Sequence, residues 1–303
     1  AQEDINPIPN VVPGLREWVG LEGSFIVDAD TRIVAESEDA YQAALQLRSY
    51  LSEMSDISVE IVREDAREGD IDLNQDATLS DELDEEGYLI HIGDQIVIDA
   101  PAYTGLLYGG VSISQILYQD EMHARVPKGI IRDYPEYSVR GGMHDVARKY
   151  FSLDYIEEMG RYMAWFKLNT LHLHINEDSG LGGEYSSSFV VESKKYPQLN
   201  TYNGEYVWSQ DDYRQMQKDL KKVGIDVVTE IDTPGHATIF QLIDPEIVNG
   251  SNFDLSNHYD ECLALIEDVF DEFLDGEDPV FQNAVVHIGT DESANTNENM
   301  RRY

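Results

Sequence analysis

Thr170-Leu-His-Leu-His-Ile-Asn-Glu-Asp178 opens as a short apolar run carrying two histidines and ends in carboxylates. His172 and His174 share one face of an extended segment, because side chains two apart on a strand point the same way. A strand that delivers polar groups only at its C-terminal end is typical of parallel βα architecture, where chemistry gathers beyond the strand ends. Working outward, three other β-like segments stand at residues 137–141, 226–231 and 284–288, and all are apolar, as strands covered on both faces should be. Helical patterns at 152–166, 210–223 and 257–274 alternate with them. From Pro127 onward the chain therefore reads as α/β, built of parallel βα units.

Upstream the pattern differs. Residues 1–20 carry Pro7, Pro9, Pro13 and Gly14 and read as an irregular lead-in. Residues 21–126 read as a small α+β domain. Short strands are expected at 25–27, 32–34 and 59–62, with a helix at 37–54 whose Tyr41, Ala44, Leu45 and Leu51 line one face. The acid-rich stretch 63–86 reads as an exposed segment. Residues 88–93 and 95–98 flank a Gly93-Asp94 turn, a strong hairpin signal, and a helix follows at 105–118.

The 303 residues include 59 acidic and 21 basic ones, a formal charge of −38. Such a field repels nucleic acid and anionic membrane, since both are bound by Lys and Arg neutralising phosphate. It suits neutral or cationic partners, a salty setting, or simply a solvated acidic surface. Cys262 is the only cysteine, so no intrachain disulfide can form, and its apolar helical neighbours predict a buried, inert thiol. No run is long enough to span a bilayer. The first residues, Ala-Gln-Glu-Asp, lack an initiator Met and would suit a mature exported N-terminus, so a secreted or cell-surface location is expected.

Each β-like segment carries a polar cluster: Arg140-Gly141-Gly142 with Asp145 and Arg148; His172 to Asp178; Glu230-Ile-Asp232-Thr-Pro-Gly-His236; and His287-Ile-Gly-Thr-Asp291-Glu292. In the last, strand alternation would place His287, Gly289 and Asp291 together and Glu292 opposite, unless the strand has already ended. At a strand end both carboxylates can enter one pocket. Two close carboxylates do not ionise with equal ease, so one holds its proton toward neutral pH, as the departure of a glycosidic oxygen requires.

These clusters resemble glycoside hydrolase family 20, the β-N-acetylhexosaminidases, from about residue 20 to the end. His287-Ile-Gly-Thr-Asp291-Glu292 is similar to the family's His-x-Gly-x-Asp-Glu signature; Leu-His-Leu-His with Asp178 and Glu-Ile-Asp-Thr-Pro-Gly-His resemble two further motifs, and residues 87–117 resemble the end of its small N-terminal domain. The resemblance implies a (β/α)8 TIM-type barrel, of which about the first four βα units would lie in 127–303, so that the chain would be the N-terminal part of the enzyme. It implies a retaining mechanism in which the substrate's acetamido oxygen forms an oxazoline. Glu292 would be the general acid, Asp291 would hold the acetamide nitrogen, and Arg140 would grip sugar hydroxyls. Asp178, Asp232, His236 and His174 would support the site. The partner would be a glycan bearing N-acetylhexosamine, with no metal and no cofactor.

Two departures stand out. Where the family pattern has Gln-Gly-Trp, this chain has Ser179-Gly180-Leu181, and where it has Gly before the carboxylates, this chain has Thr290. With Phe189-Val-Val-Glu-Ser-Lys-Lys-Tyr-Pro they lean toward the lacto-N-biosidase branch, which releases a disaccharide. Two other readings stay open. His172, His174, His236, His287 and Asp291 could ligate zinc in an amidohydrolase-like barrel, or the chain could be a sugar-binding fragment without hydrolysis.

Overall fold

The computed structural model describes residues 5–54, 58–177, 189–201 and 204–303. The chain divides into two compact units, one of residues up to Ser138 with Trp165–Lys167, the other of the remainder.

The first unit is a seven-stranded mixed sheet. Its elements are β1 (Glu17–Ile26), β2 (Arg32–Ala35), α1 (Glu38–Met54), β3 (Glu60–Val62), β4 (Ile71–Gln75), the short α2 (Ser80–Leu83), β5 (Tyr88–Ile92), β6 (Ile96–Ala100), α3 (Tyr103–Tyr118) and β7 (Arg125–Asp133). The strand order is β1-β7-β5-β6-β4-β2-β3. The expected β5–β6 hairpin is present, with Ile90 opposite Ile98. Two expectations are corrected. The acidic stretch 63–86 is not simply exposed: Ile71 and Leu73 alternate inward from β4 and are buried, and β4 pairs with β2 and β6 inside the sheet. An edge between two units at 126/127 would cut β7, which pairs with both β1 and β5. α1 and α3 pack on each other and supply Leu47, Leu51, Leu106, Ile113 and Leu117 to the core. At its margin Lys167 is buried with its ammonium 2.7 Å from Tyr88 Oη and 3.2 Å from Asp133, so the buried charge is paired.

The second unit contains β8 (Gly141–Asp145), α4 (Leu153–Trp165), β9 (Thr170–His174), α5 (Gln210–Lys221), β10 (Asp226–Glu230), a two-residue hairpin pair β11 (Val248–Asn249) and β12 (Asn252–Phe253), α6 (Tyr259–Leu274) and α7 (Asn297–Arg302). β8, β9 and β10 form a parallel sheet in the order β10-β9-β8, the arrangement that alternating strands and helices predict. The first strand runs 141–145 rather than 137–141, because Gly141 pairs with Thr170 and Asp145 with His174. The fourth expected strand, 284–288, is reduced to a single parallel bridge between His287 and Glu230. Among the described residues the strands do not close into a barrel. Helices α4, α5 and α6 lay apolar faces on the sheet, and Leu171, Leu173, Leu220, Val227, Val269 and Phe273 share one core. Cys262 lies in that core, and burial pushes its thiol up to about 12. No helix among the described residues is long and apolar enough to cross a membrane.

Candidate active site

The C-terminal ends of β9 and β10 build a charged lattice. Glu230, the last residue of β10, takes His172 Nε2 at 2.6 Å and faces His174 Nδ1 at 3.4 Å and His287 Nδ1 at 3.3 Å. Burial works against the Glu230 anion, but the bonds to His172 and His174 outweigh it and hold the carboxyl far below its usual range. Burial equally opposes charge on His174, yet Glu177 on one side and Glu230 on the other lift its pKa to about 10. Asn176 locks the backbone above them: its amide donates to the carbonyls of Asp232 (2.9 Å) and His236 (3.2 Å), and its oxygen accepts from Asp232 N–H at 2.6 Å.

Glu177 is fully buried and holds three cations or potential cations: His236 Nδ1 at 2.8 Å, His174 Nε2 at 3.1 Å and Arg148 Nη2 at 2.7 Å. With Nδ1 turned to Glu177, His236 presents Nε2 to three carboxylates, Glu292 at 3.5 Å, Asp232 at 3.8 Å and Asp291 at 3.9 Å. Burial disfavours the imidazolium, but Glu177 and the neighbouring acids outweigh this and raise its pKa.

The strand has ended before Asp291 is reached. Gly289, Thr290 and Glu292 have φ of +69°, +83° and +48°, so strand alternation no longer applies and both carboxylates approach His236. A Cβ at Gly289 would lie 1.7 Å from Asp232 Oδ1, so only glycine lets that carboxylate pack there. Asp232 in turn accepts Thr290 N–H at 3.0 Å and has a carboxylate oxygen within 4.8 Å of one of Asp291. Burial first, and the neighbouring Asp291 carboxyl second, push the Asp232 carboxyl up to about 7. The carboxyl raised toward neutrality is thus the buried Asp232. The side chains of Asp291 and Glu292 are 66% and 77% exposed, open to a ligand, whereas those of Asp232 and His174 are buried and act through their neighbours.

Of the residues singled out in the sequence, Asp232, His236, Asp291 and Glu292 come together, and His174 lies one shell below. Arg140 precedes β8 at the N-terminal end of the sheet, where its backbone pairs with Asn169, at the far end of β8 from Asp145. Asp178 lies outside the described residues. The key partner that sequence reasoning passed over is Glu177; only its place beside Asp178 in the same acidic cluster could have marked it. The five residues of the zinc reading do not converge: His172 and His287 group with Glu230, while His236 and Asp291 group with Asp232.

The family model for the Glycosyl hydrolase family 20 catalytic domain matches residues 137–301, and that for domain 2 of the same family matches residues 8–134. A lacto-N-biosidase of Bifidobacterium bifidum is 28% identical over 297 residues, covering 94% of this chain and 24% of that protein. A beta-hexosaminidase of Porphyromonas gingivalis is 28% identical over 316 residues, covering 93% of this chain and 39% of its own length. The chain therefore spans well under half of these relatives. The fold is shared with the GH20 beta-N-acetylhexosaminidase of Streptomyces coelicolor A3(2), with a TM-score of 0.83 at 22% identity, covering 98% of this chain and 63% of that one. With both of its units matched in order, and the carboxylate signature lying inside the catalytic match, the chain belongs to glycosyl hydrolase family 20.

Proposed function

We propose that the protein is a β-N-acetylhexosaminidase that removes terminal N-acetylhexosamine from glycans with retention of configuration. The observation that carries this reading is the convergence of Asp291 and Glu292 on His236. Glu292 donates its proton to the departing glycosidic oxygen. Asp291 accepts the acetamide N–H, which orients the acetamido oxygen for attack on the anomeric carbon and stabilises the positive charge of the oxazoline. His236, backed by Glu177 and with its pKa raised by the surrounding acids, lies beside both and sets their positions. By resemblance to the family, Arg140 is assigned to sugar hydroxyls and Asp178 to the groups that support the site, and the three parallel strands with the His287 bridge to the first part of an eight-stranded barrel. That barrel reading fails if an experimental structure of the whole protein leaves the sheet open beyond His287.

The test is hydrolysis of an aryl N-acetyl-β-glucosaminide by the whole protein, with the anomer of the first product read by NMR. Retention and inhibition by a thiazoline analogue are expected; inverted product, or a sugar bound covalently to an Asp or Glu, would end the oxazoline reading. Activity should survive exhaustive chelation. A disaccharide-releasing variant of the same chemistry is favoured by one observation, the match to a lacto-N-biosidase along 94% of this chain. Comparing aryl lacto-N-bioside with aryl N-acetylglucosaminide decides between them. We place the enzyme outside the cell or at its surface, which fractionation tests.

A further inference from the structure

Glu292 sits in a loop that cannot hold its own shape. Thr290 and Glu292, neither of them glycine, take left-handed backbone conformations, and such residues persist only where the surroundings over-determine them. Upstream of Glu292 the determinant is Asp232, already described. Downstream it is a pair of asparagines outside the charged lattice. Asn252, on β12, accepts Ala294 N–H at 2.9 Å. Asn295 answers in the other direction, donating to the Phe253 carbonyl at 2.9 Å and accepting Leu255 N–H at 3.1 Å. The hairpin that receives these bonds is itself fastened to the Pro-Gly-His turn, because Ala237 N–H donates to the Ser251 carbonyl and Phe253 N–H to the Pro234 carbonyl, both at 2.8 Å. Gly235 of that turn lies against the Asp291 backbone, where a Cβ would come within 2.5 Å of its carbonyl oxygen.

We propose that the β11–β12 hairpin is a clamp joining the His236 turn to the Asp291-Glu292 loop, and that Asn252 and Asn295 are positioning residues for the general acid. The inference rests on the reading of Glu292 as that acid. The chemistry of the two asparagines differs, and this makes the clamp testable. Asn252 holds Ala294 through its side-chain oxygen, and its amide reaches only Ser251 Oγ at 3.4 Å, a hydroxyl that can donate to a carboxylate instead, so a carboxylate replaces it. Asn295 uses both its oxygen and its amide nitrogen, so a carboxylate there would turn an acceptor against the Phe253 carbonyl.

The experiment uses the whole protein with four variants: Asn252→Ala, Asn252→Asp, Asn295→Ala and Asn295→Asp. Displacing an acid by about an ångström costs on the order of a hundredfold. For a natural glycoside, kcat is expected to fall about tenfold to a hundredfold in Asn252→Ala, Asn295→Ala and Asn295→Asp, with KM little changed. The loss should be smaller for an aryl glycoside with a good leaving group, and Asn252→Asp should restore kcat. Hydrogen exchange read on the amides of Ala294 and Leu255 needs no turnover: protection at Ala294 should vanish in Asn252→Ala and return in Asn252→Asp. If Asn295→Ala fails to fold, the Asn252 pair decides alone. If the wild-type protein hydrolyses no hexosaminide, the general-acid reading fails, and exchange at Ala294 still decides whether the clamp exists. Unchanged kcat on the natural glycoside in Asn252→Ala, or unchanged Ala294 protection, would overturn the proposal.

Discussion

Thr290 carries a branched side chain at φ +83°, a region that branched residues avoid, and family 20 enzymes commonly have glycine at this point. Its N–H is what the fold uses there, as a donor to Asp232. Thr290→Gly keeps the N–H and relieves the backbone, so stability should rise by about 1 kcal/mol, the strain of one left-handed residue less the entropy that glycine adds to the unfolded chain. Denaturant unfolding checks this, and a lower midpoint would show that the Thr290 side chain holds the loop. Two residues on, Glu292→Gln removes the proton donor proposed above. Turnover of natural glycosides should fall by about a hundred- to ten-thousand-fold, and that of an activated aryl glycoside much less. Equal losses, with chemistry rate-limiting for both, would exclude Glu292 as the acid. The Asp291-Glu292 pair was legible because the two are adjacent in sequence. The raised pKa of Asp232 was not, because it depends on the burial of a residue 59 positions before Asp291 that only the fold brings near. Its sign is definite. An unfolded Asp titrates near 3.9, so between about pH 4 and 7 the folded protein holds the extra proton, and stability falls as pH rises across that window and levels off above it. Asp232→Asn should flatten that stretch of the stability–pH curve.

Elements whose pattern is local were readable, and those whose burial is set by distant neighbours were not. Gly93-Asp94 between two alternating apolar runs located the β5–β6 hairpin, and the helical periodicities placed α4, α5 and α6 within a few residues. β4 was hidden because its acidic surroundings masked Ile71 and Leu73, which are covered only once β2 and β6 lie alongside. β7 carries Arg125, Lys128, Arg132 and Asp133 in no alternating order and reads as a strand only beside β1 and β5. Residues 284–288 are apolar enough for a strand, yet make only one bridge, since Gly289 and Thr290 leave the β region directly afterwards. The joint between β9 and β10 has its own signature. His174 is buried between Glu177 and Glu230 with its pKa lifted to about 10, so its contribution is complete below the unfolded value near 6.5 and is lost as pH rises toward 10. His174→Gln should therefore cost on the order of 2–3 kcal/mol at pH 6, the worth of hydrogen bonds to charged groups, and should make the loss of stability above pH 7 shallower. Thermal melts of both proteins from pH 6 to 10 test it; parallel curves would mean that His174 is neutral in the folded protein.

At the scale of the whole molecule, two separate cores carry one very large charge. Each unit buries its own apolar cluster, yet 59 acidic residues face 21 basic ones, and the net charge is −38. Many of the cations are already spent in exposed pairs such as Arg63–Glu38, Lys218–Asp278 and Lys221–Asp226, each worth little. The remaining carboxylates repel one another, and the compact state suffers more than the expanded one because it holds them closer together. Salt changes this balance: the screening length shrinks from about 10 Å at 0.1 M to about 3 Å at 1 M, shorter than typical spacings between surface charges. Raising sodium chloride from 0.1 to 1 M should therefore increase Tm by on the order of 5–10 °C, the shift that a few kcal/mol produces in a domain of 150–250 residues. The weak exposed pairs are screened by the same salt and work against the trend, but the excess of acid over base makes repulsion the larger effect. Repeating the melt in lithium and potassium chloride at equal ionic strength separates screening, which is indifferent to the cation, from preferential exclusion, which is not. Screening also predicts that most of the gain arrives below about 0.5 M, where the Debye length changes most. A Tm that stayed flat to 1 M, or rose only at multimolar salt and in the order of the ions, would show that the acidic surface is already neutralised by its own geometry.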